Sequence, residues 1–170
     1  NDITDKKRIE KLSITDQLTG IYNRVRLDEV FDREYKRLKR HNRQMSIILL
    51  DIDFFKSIND RFGHQVGDDV LVSIAKVTKD SIRATDTAGR WGGEEFLIIC
   101  PETDLSGATM LANKLCGAIE NYTFVNGIKV TASFGVTTAK HKDNQSEIIK
   151  RADDALYLAK SNGRNRVQWC

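Results

Sequence analysis

The chain has 170 residues, 40% apolar and 30% charged, with a net charge of +3. That describes one globular domain with a sizeable core and argues against disorder. The charge is too slight to point to nucleic acid as a partner, no apolar run approaches the ~20 residues of a membrane-spanning helix, and the polar start NDITDKKRIEKL carries no secretory signal.

The start on Asn1 is expected of a piece cut from a longer protein. The domain itself is expected to be cytoplasmic, with membrane anchoring of the parent left open. Residues 4–14 predict a short helix with Ile9 and Leu12 as its apolar positions. A second helix is predicted from about Asn23 to Arg40, where Leu27, Val30, Phe31, Glu34 and Leu38 recur at helical spacing and only Glu34 is off the apolar pattern. The basic run KRLKRHNR at 36–43 suits its solvated end, where cations complement the helix dipole. SIILLDID, 46–53, predicts a buried strand ending in carboxylates. Gly63 and Gly67 divide the next stretch into two helical pieces, the second expected from Asp68 to Arg83 with Asp68 as an acidic cap.

Around Gly92 and Gly93, TAGRW and EFLIIC predict a hairpin, with glycine supplying the positive φ of a tight turn. A helix from Leu105 to Asn121 follows, then a strand in KVTASFGVTTA (129–139), where Val130, Ala132, Phe134 and Val136 alternate. A helix in SEIIKRADDALYLAKSNG closes at Gly163, and RVQW makes a terminal strand. Phe54, Phe55, Trp91, Tyr157 and Trp169 are expected in the core. Cys100, Cys116 and Cys170 lie far apart without CxxC spacing and read as buried thiols of a reducing compartment, not a zinc site. The order of elements is α/β of the α+β kind, with consecutive helices and an antiparallel hairpin, and not a doubly wound dinucleotide fold.

Two acidic clusters carry the chemistry. Asp51 and Asp53 end a strand and share a face by the period of two; Glu94 and Glu95 follow the paired glycines. If the hairpin pairs beside the first strand, three or four carboxylates converge, and without a counter-ion some must take up protons. A hard divalent cation resolves that conflict, and all-oxygen ligation points to Mg²⁺ or Mn²⁺. The segment FFK, 54–56, begins a turn whose backbone N–H groups can cradle phosphate, with Lys56 placed to stabilise transition-state charge. Asp53 reads as a cap for the helix that follows, without a catalytic role.

GGEEF, 92–96, resembles the signature of the GGDEF family, the diguanylate cyclases. It is joined by DQLTGIYNR (16–24), DIDFFKSINDRFGHQVGDD (51–69), VTASFGV (130–136) and ADDALYLAKSNGRNRV (152–167), in the family's order and spacing. The resemblance runs from about Asp16 to the end. It implies a domain over 15–170, with residues 1–14 as the stub of a signalling helix from a missing upstream sensory region. The implied fold is similar to the palm of nucleotidyl cyclases and polymerases, a central mixed sheet surrounded by helices with the signature on a β-hairpin turn.

The implied activity is condensation of two GTP into cyclic di-GMP with release of pyrophosphate, in a homodimer of domains. Carried over from the family, Asp51, the Ile52 carbonyl, Glu94 and Glu95 bind Mg²⁺, two ions per site, and Glu94 assists deprotonation of the attacking hydroxyl. Asn59 and Asp68 match the family's guanine readers. A carboxylate can accept from both N1–H and the 2-amino group of guanine, and adenine offers no such pair. Lys160 and Arg164 match the basic pair that holds β and γ phosphates, beside the 54–56 turn of Phe54, Phe55 and Lys56. Gly92 and Gly93 let the backbone approach the nucleotide without a Cβ, and Arg90 is a weaker candidate for charge stabilisation. Arg83 and Asp86 stand where the family's inhibitory RxxD motif occurs and imply a product site that gives feedback inhibition. The alternative is a catalytically silent relative that binds cyclic di-GMP through those two residues.

Overall fold

A computed structural model of the chain describes residues 2–170, with residues 10–12 described in backbone only. Helix α1 spans Asp2–Ile14 and α2 spans Arg24–His41. Strand β1, Met45–Ile52, leads to α3, Phe55–Phe62, and α4, His64–Ser81. The hairpin is β2, Thr87–Arg90, and β3, Glu95–Pro101. Helix α5, Leu105–Glu120, strand β4, Ala132–Thr138, helix α6, Gln145–Ser161, and strand β5, Val167–Trp169, complete the order. Among the described residues no helix is long and apolar enough to cross a membrane.

The strands form one mixed sheet in the order β2-β3-β1-β4-β5. β1 sits at its centre, antiparallel to β3 and β4, while β5 joins the edge parallel to β4. Alternation along β1 divides the core in two. Ile48, Leu50 and Ile52 pack with Val70 and Ile74 of α4 and with Ala112 and Leu115 of α5. Met45, Ile47 and Leu49 pack on the other face with Leu27 and Phe31 of α2 and with Ile148, Ala152 and Leu156 of α6. Because side chains alternate at every residue, Asp51 belongs to the α2/α6 face. That parity turns it toward the last helix.

Helix α2 is capped by Asn23, whose side chain accepts from Arg26 N, and it buries the off-pattern Glu34 with Arg37 Nη1 at 3.2 Å. Several expectations need correction. Helix α4 starts at His64, not Asp68: Gly63, at φ +92°, ends α3 and opens α4, and Asp68 lies in the second turn and caps nothing. Gly92 and Gly93 are not in the left-handed region, so the signature turn does not need them for a positive φ. β4 begins at Ala132, later than expected. Phe54, Tyr157 and Trp169 are exposed and not core, as is Cys170; Cys100 and Cys116 are buried. Ile9 is exposed, and the Leu12 side chain lies outside the described residues.

Candidate active site

The antiparallel register of β1 and β3 sets Asp51 opposite Glu95, with Ser133 of β4 on its other side. Ile52 N donates to the Glu94 carbonyl at 3.3 Å, so Ile52 stands at the seam between the acids. The Gly92–Gly93 turn closes on the Glu95 carbonyl, which accepts from Trp91 N at 2.8 Å and Gly92 N at 3.2 Å. Burial pushes the Asp51 carboxyl above its ordinary range, opposed by Lys160 and reinforced by Glu94 and Asp53. Burial does the same to Glu95, with Asp51, Asp153 and Glu94 adding repulsion. The site therefore holds more negative charge than it can comfortably ionise, the conflict anticipated from the sequence.

Lys160 Nζ lies 2.8 Å from Asp51 Oδ1 as an ion pair. That buried oxygen has no other donor among the described residues. Lys160 reaches this point because α6 lies directly on β4. A Cβ placed on Gly135 would meet the Ala152 carbonyl oxygen at 2.1 Å and Leu156 N at 2.4 Å. Lys160 is one further turn along that face. A cleft of about 290 Å³ opens here, lined by Asp51, Glu95, Asp153, Asp154, Tyr157 and Lys160.

The phosphate-binding candidates also come together. Phe54 takes φ +56° at the N-cap of α3 with no side-chain capping bond, so by helix geometry the first-turn N–H groups have no intrahelical acceptor. Lys56 is exposed beside a hollow of about 530 Å³ lined by Phe54, Lys56, Ser57, Asp60 and Arg61. The Arg164 guanidinium lies 4.5 Å over the Phe54 ring, and Arg164 Nε is buried without an acceptor among the described residues. Asp51 Oδ1, which already draws the Lys160 ammonium, suits a cation, and the buried Arg164 Nε suits an anion.

Asn59 and Asp68 are brought together by Gly67, which the sequence reading took for punctuation. A Cβ on Gly67 would sit 1.8 Å from Asn59 Oδ1, so any other residue there would push the Asn59 side chain aside. Asn59 is half-buried and Asp68 exposed at the rim. Arg83 and Asp86 play different parts. Asp86 Oδ2 accepts from Arg83 N at 3.0 Å and Nε at 3.3 Å, and Oδ1 accepts from Nη2 at 3.2 Å. The Asp86 side chain has no exposed surface while that of Arg83 is 58% exposed, so Asp86 anchors and Arg83 presents.

Arg90 does not face the carboxylates. Its Nε and Nη2 donate to the Gly93 carbonyl at 3.0 and 2.8 Å, and Nη1 lies 3.3 Å from both oxygens of Asp16. Burial works against the charge of Asp16, but the Thr19 hydroxyl and amide and Arg90 hold its carboxyl below the ordinary range. Asp16 thus ties the turn after α1 to the signature. Sequence reasoning gives Asp16 no role, because its partner Arg90 lies 74 residues further along the chain.

Among the described residues no three carboxylates are grouped closely enough to hold a cation alone. The pattern fits Mg²⁺, which is bound by one or two carboxylates together with waters and substrate phosphates.

A family model described as diguanylate cyclase, GGDEF domain, matches residues 13–166. The response regulator PleD of Caulobacter vibrioides is 41% identical over 163 residues, covering 92% of this chain and 36% of PleD. Diguanylate cyclase DgcM of Escherichia coli is 38% identical over 98% of this chain and 42% of its own length. The chain thus spans less than half of these curated relatives. Among solved structures, the coiled coil and GGDEF domain of DgcB from Caulobacter crescentus, in complex with c-di-GMP, superposes with a TM-score of 0.94 at 28% identity, over 98% of this chain and 91% of that one. The active GGEEF domain of a diguanylate cyclase from Vibrio cholerae gives 0.83 at 38% identity, over 86% and 96%. With sequence, fold and signature in agreement, this chain belongs to the GGDEF family of diguanylate cyclase domains.

Proposed function

We propose that the domain condenses two GTP molecules into cyclic di-GMP with release of pyrophosphate, acting as one half of a dimer of domains. The observation that supports this best is the acid pair Asp51–Glu95 at the end of the sheet, facing Lys160 on one side and the Phe54–Arg164 stack nearby. Asn59 and Asp68 read guanine, Asp68 accepting from N1–H and the 2-amino group. Lys160 and Arg164 hold the β and γ phosphates, with the first-turn amides of α3 and Lys56 completing the cradle. Lys160 exchanges its Asp51 partner for phosphate when GTP arrives. Gly93 leaves open space beside the turn, since a Cβ there would meet nothing within 4 Å. Glu94 takes the proton of the attacking 3′-hydroxyl.

Asp51, the Ile52 carbonyl, Glu94 and Glu95 would hold Mg²⁺ or Mn²⁺, two ions per site, and metal bound there would polarise the α-phosphate and acidify the hydroxyl. Each domain carries one GTP, so ring closure requires a second domain facing the first, and positioning supplies much of the rate. Arg83, anchored by Asp86, supplies the exposed guanidinium of an inhibitory product site. Residues 1–14 connect to an upstream sensor in a longer cytoplasmic or membrane-anchored parent. The test is nucleotide selectivity: 3′-deoxy-GTP should bind well ahead of 3′-deoxy-ATP, and Asp68→Asn should remove most of that preference. Equal binding of the two by the wild-type domain would overturn the guanine assignment.

A further inference from the structure

We propose that Asp53, buried behind the site, is a positioning residue for the phosphate clamp. Its carboxylate fixes the backbone that carries Arg164 against the turn that carries Phe54. The inference rests on the GTP reading above and extends it to a residue that touches no substrate.

Asp53 is 3% exposed and does not cap α3. Its Oδ1 accepts from Ser133 Oγ at 2.6 Å, and its Oδ2 from Thr131 Oγ1 at 2.7 Å and from Asn165 N at 3.0 Å. Its own N–H donates to the Thr131 carbonyl at 2.9 Å. One carboxylate therefore joins the end of β1, the start of β4 and the turn after α6.

The turns that follow β1 and α6 both hold non-glycine residues in left-handed backbone. Phe54, the next residue along the chain, takes φ +56°; Arg164 and Asn165 take +64° and +46°. Non-glycine residues hold such conformations only where surrounding contacts over-determine them, and such residues cluster at functional sites. Here the contacts can be named. Asp53 holds Asn165 by its amide, while Asn165 Nδ2 donates to Glu120 Oε2 at 2.8 Å and Cys116 Sγ stands 3.4 Å from Asn165 Oδ1. Arg164 N donates to the Ala159 carbonyl at 3.0 Å, and its guanidinium lies 4.5 Å over Phe54 with Nε buried and unpartnered among the described residues. Releasing Asn165 N breaks the bond that ties the residue after Arg164 to the residue before Phe54, and so loosens the stack.

The test is a binding cycle in Mg²⁺ with two probes, 3′-deoxy-GTP, which lacks the attacking hydroxyl, and GMP, which lacks the β and γ phosphates. Asp53→Ala should weaken 3′-deoxy-GTP tenfold or more and change GMP by less than twofold. Arg164→Ala should do the same, and the double variant should lose no more than either single one, as expected of residues acting as a unit. Asp53→Asn should rescue, because its carbonyl oxygen can accept from Asn165 N while its amide turns to the Ser133 hydroxyl. If Asp53→Ala does not fold, Asp53→Ser, too short to reach Asn165 N, carries the same cycle. A wild-type domain that binds 3′-deoxy-GTP no better than GMP would overturn the triphosphate reading and this inference with it. A wild-type preference that survives both Asp53→Ala and Asp53→Ser, or a double variant that loses the sum, would overturn this inference alone.

Discussion

Gly135→Ala offers a sharp test of how the site is assembled. The new Cβ would stand 2.1 Å from the Ala152 carbonyl oxygen, 2.4 Å from Leu156 N and 2.9 Å from Leu156 Cα, all backbone atoms of α6. No side-chain rotation can relieve these contacts. Restoring an ordinary 3.4 Å contact from 2.1 Å requires α6 to move by 3.4 less 2.1, or 1.3 Å. Overpacking of this kind costs about 1–3 kcal/mol. At about 2–4 °C per kcal/mol for a chain of this size, the melting temperature should fall by roughly 2–12 °C. The same movement carries Lys160 away from Asp51, and a misplacement of about 1 Å costs on the order of a hundredfold in rate. Thermal unfolding and initial rates of product formation, measured on the same preparation, give both numbers. A variant with unchanged melting temperature and unchanged rate would refute the claim that the β4–α6 contact sets the site.

Gly93→Ala is the converse case. A Cβ there meets nothing within 4 Å and φ is not positive, so stability should stay within about 0.5 kcal/mol while kcat/KM falls at least tenfold; an active variant would show that the nucleotide does not pass over this turn. The acid pair predicts a pH dependence. A carboxyl whose folded pKa lies above its unfolded one binds more protons when folded, so its contribution is full below the ordinary value and lost as pH rises through the raised one. Asp51 and Glu95 are both raised, from 3.8 and 4.5. In metal-free buffer, urea midpoints of Asp51→Asn/Glu95→Gln should therefore gain on wild type as pH rises from about 4 to 7, and a difference flat in pH contradicts the assignment. Arg83→Ala should abolish the slowing of the reaction by added cyclic di-GMP while leaving initial rates within twofold; inhibition that persists would place the product site elsewhere.

The parts of the site legible in the sequence are those written locally. Asp51 follows one strand-like apolar run while Glu94 and Glu95 precede another, and their meeting needs only the pairing of β1 with β3. Gly67 and Gly135 were harder, because a glycine's role depends on what faces it: Gly67 reads as a turn residue until Asn59 is seen against it, and Gly135 reads as an ordinary strand residue until α6 is. Asp53 reads as a helix cap in the sequence because its partners, Thr131, Ser133 and Asn165, lie far along the chain. Arg90 was read as a free cation near phosphates, since nothing local shows that Asp16 and the Gly93 carbonyl claim it. Tyr157 and Phe54 were assigned to the core on side-chain type alone, yet line the cleft and the hollow instead.

The most direct measurement is product analysis by chromatography and mass spectrometry after incubating the purified domain, at high concentration, with GTP and Mg²⁺. Glu94→Ala and a parallel incubation with ATP serve as controls. Cyclic di-GMP is expected from the native domain and GTP alone, with specific activity rising as the domain is concentrated. No product, even when two domains are held together by a fused coiled coil, would contradict that expectation and leave a product-binding module as the better description.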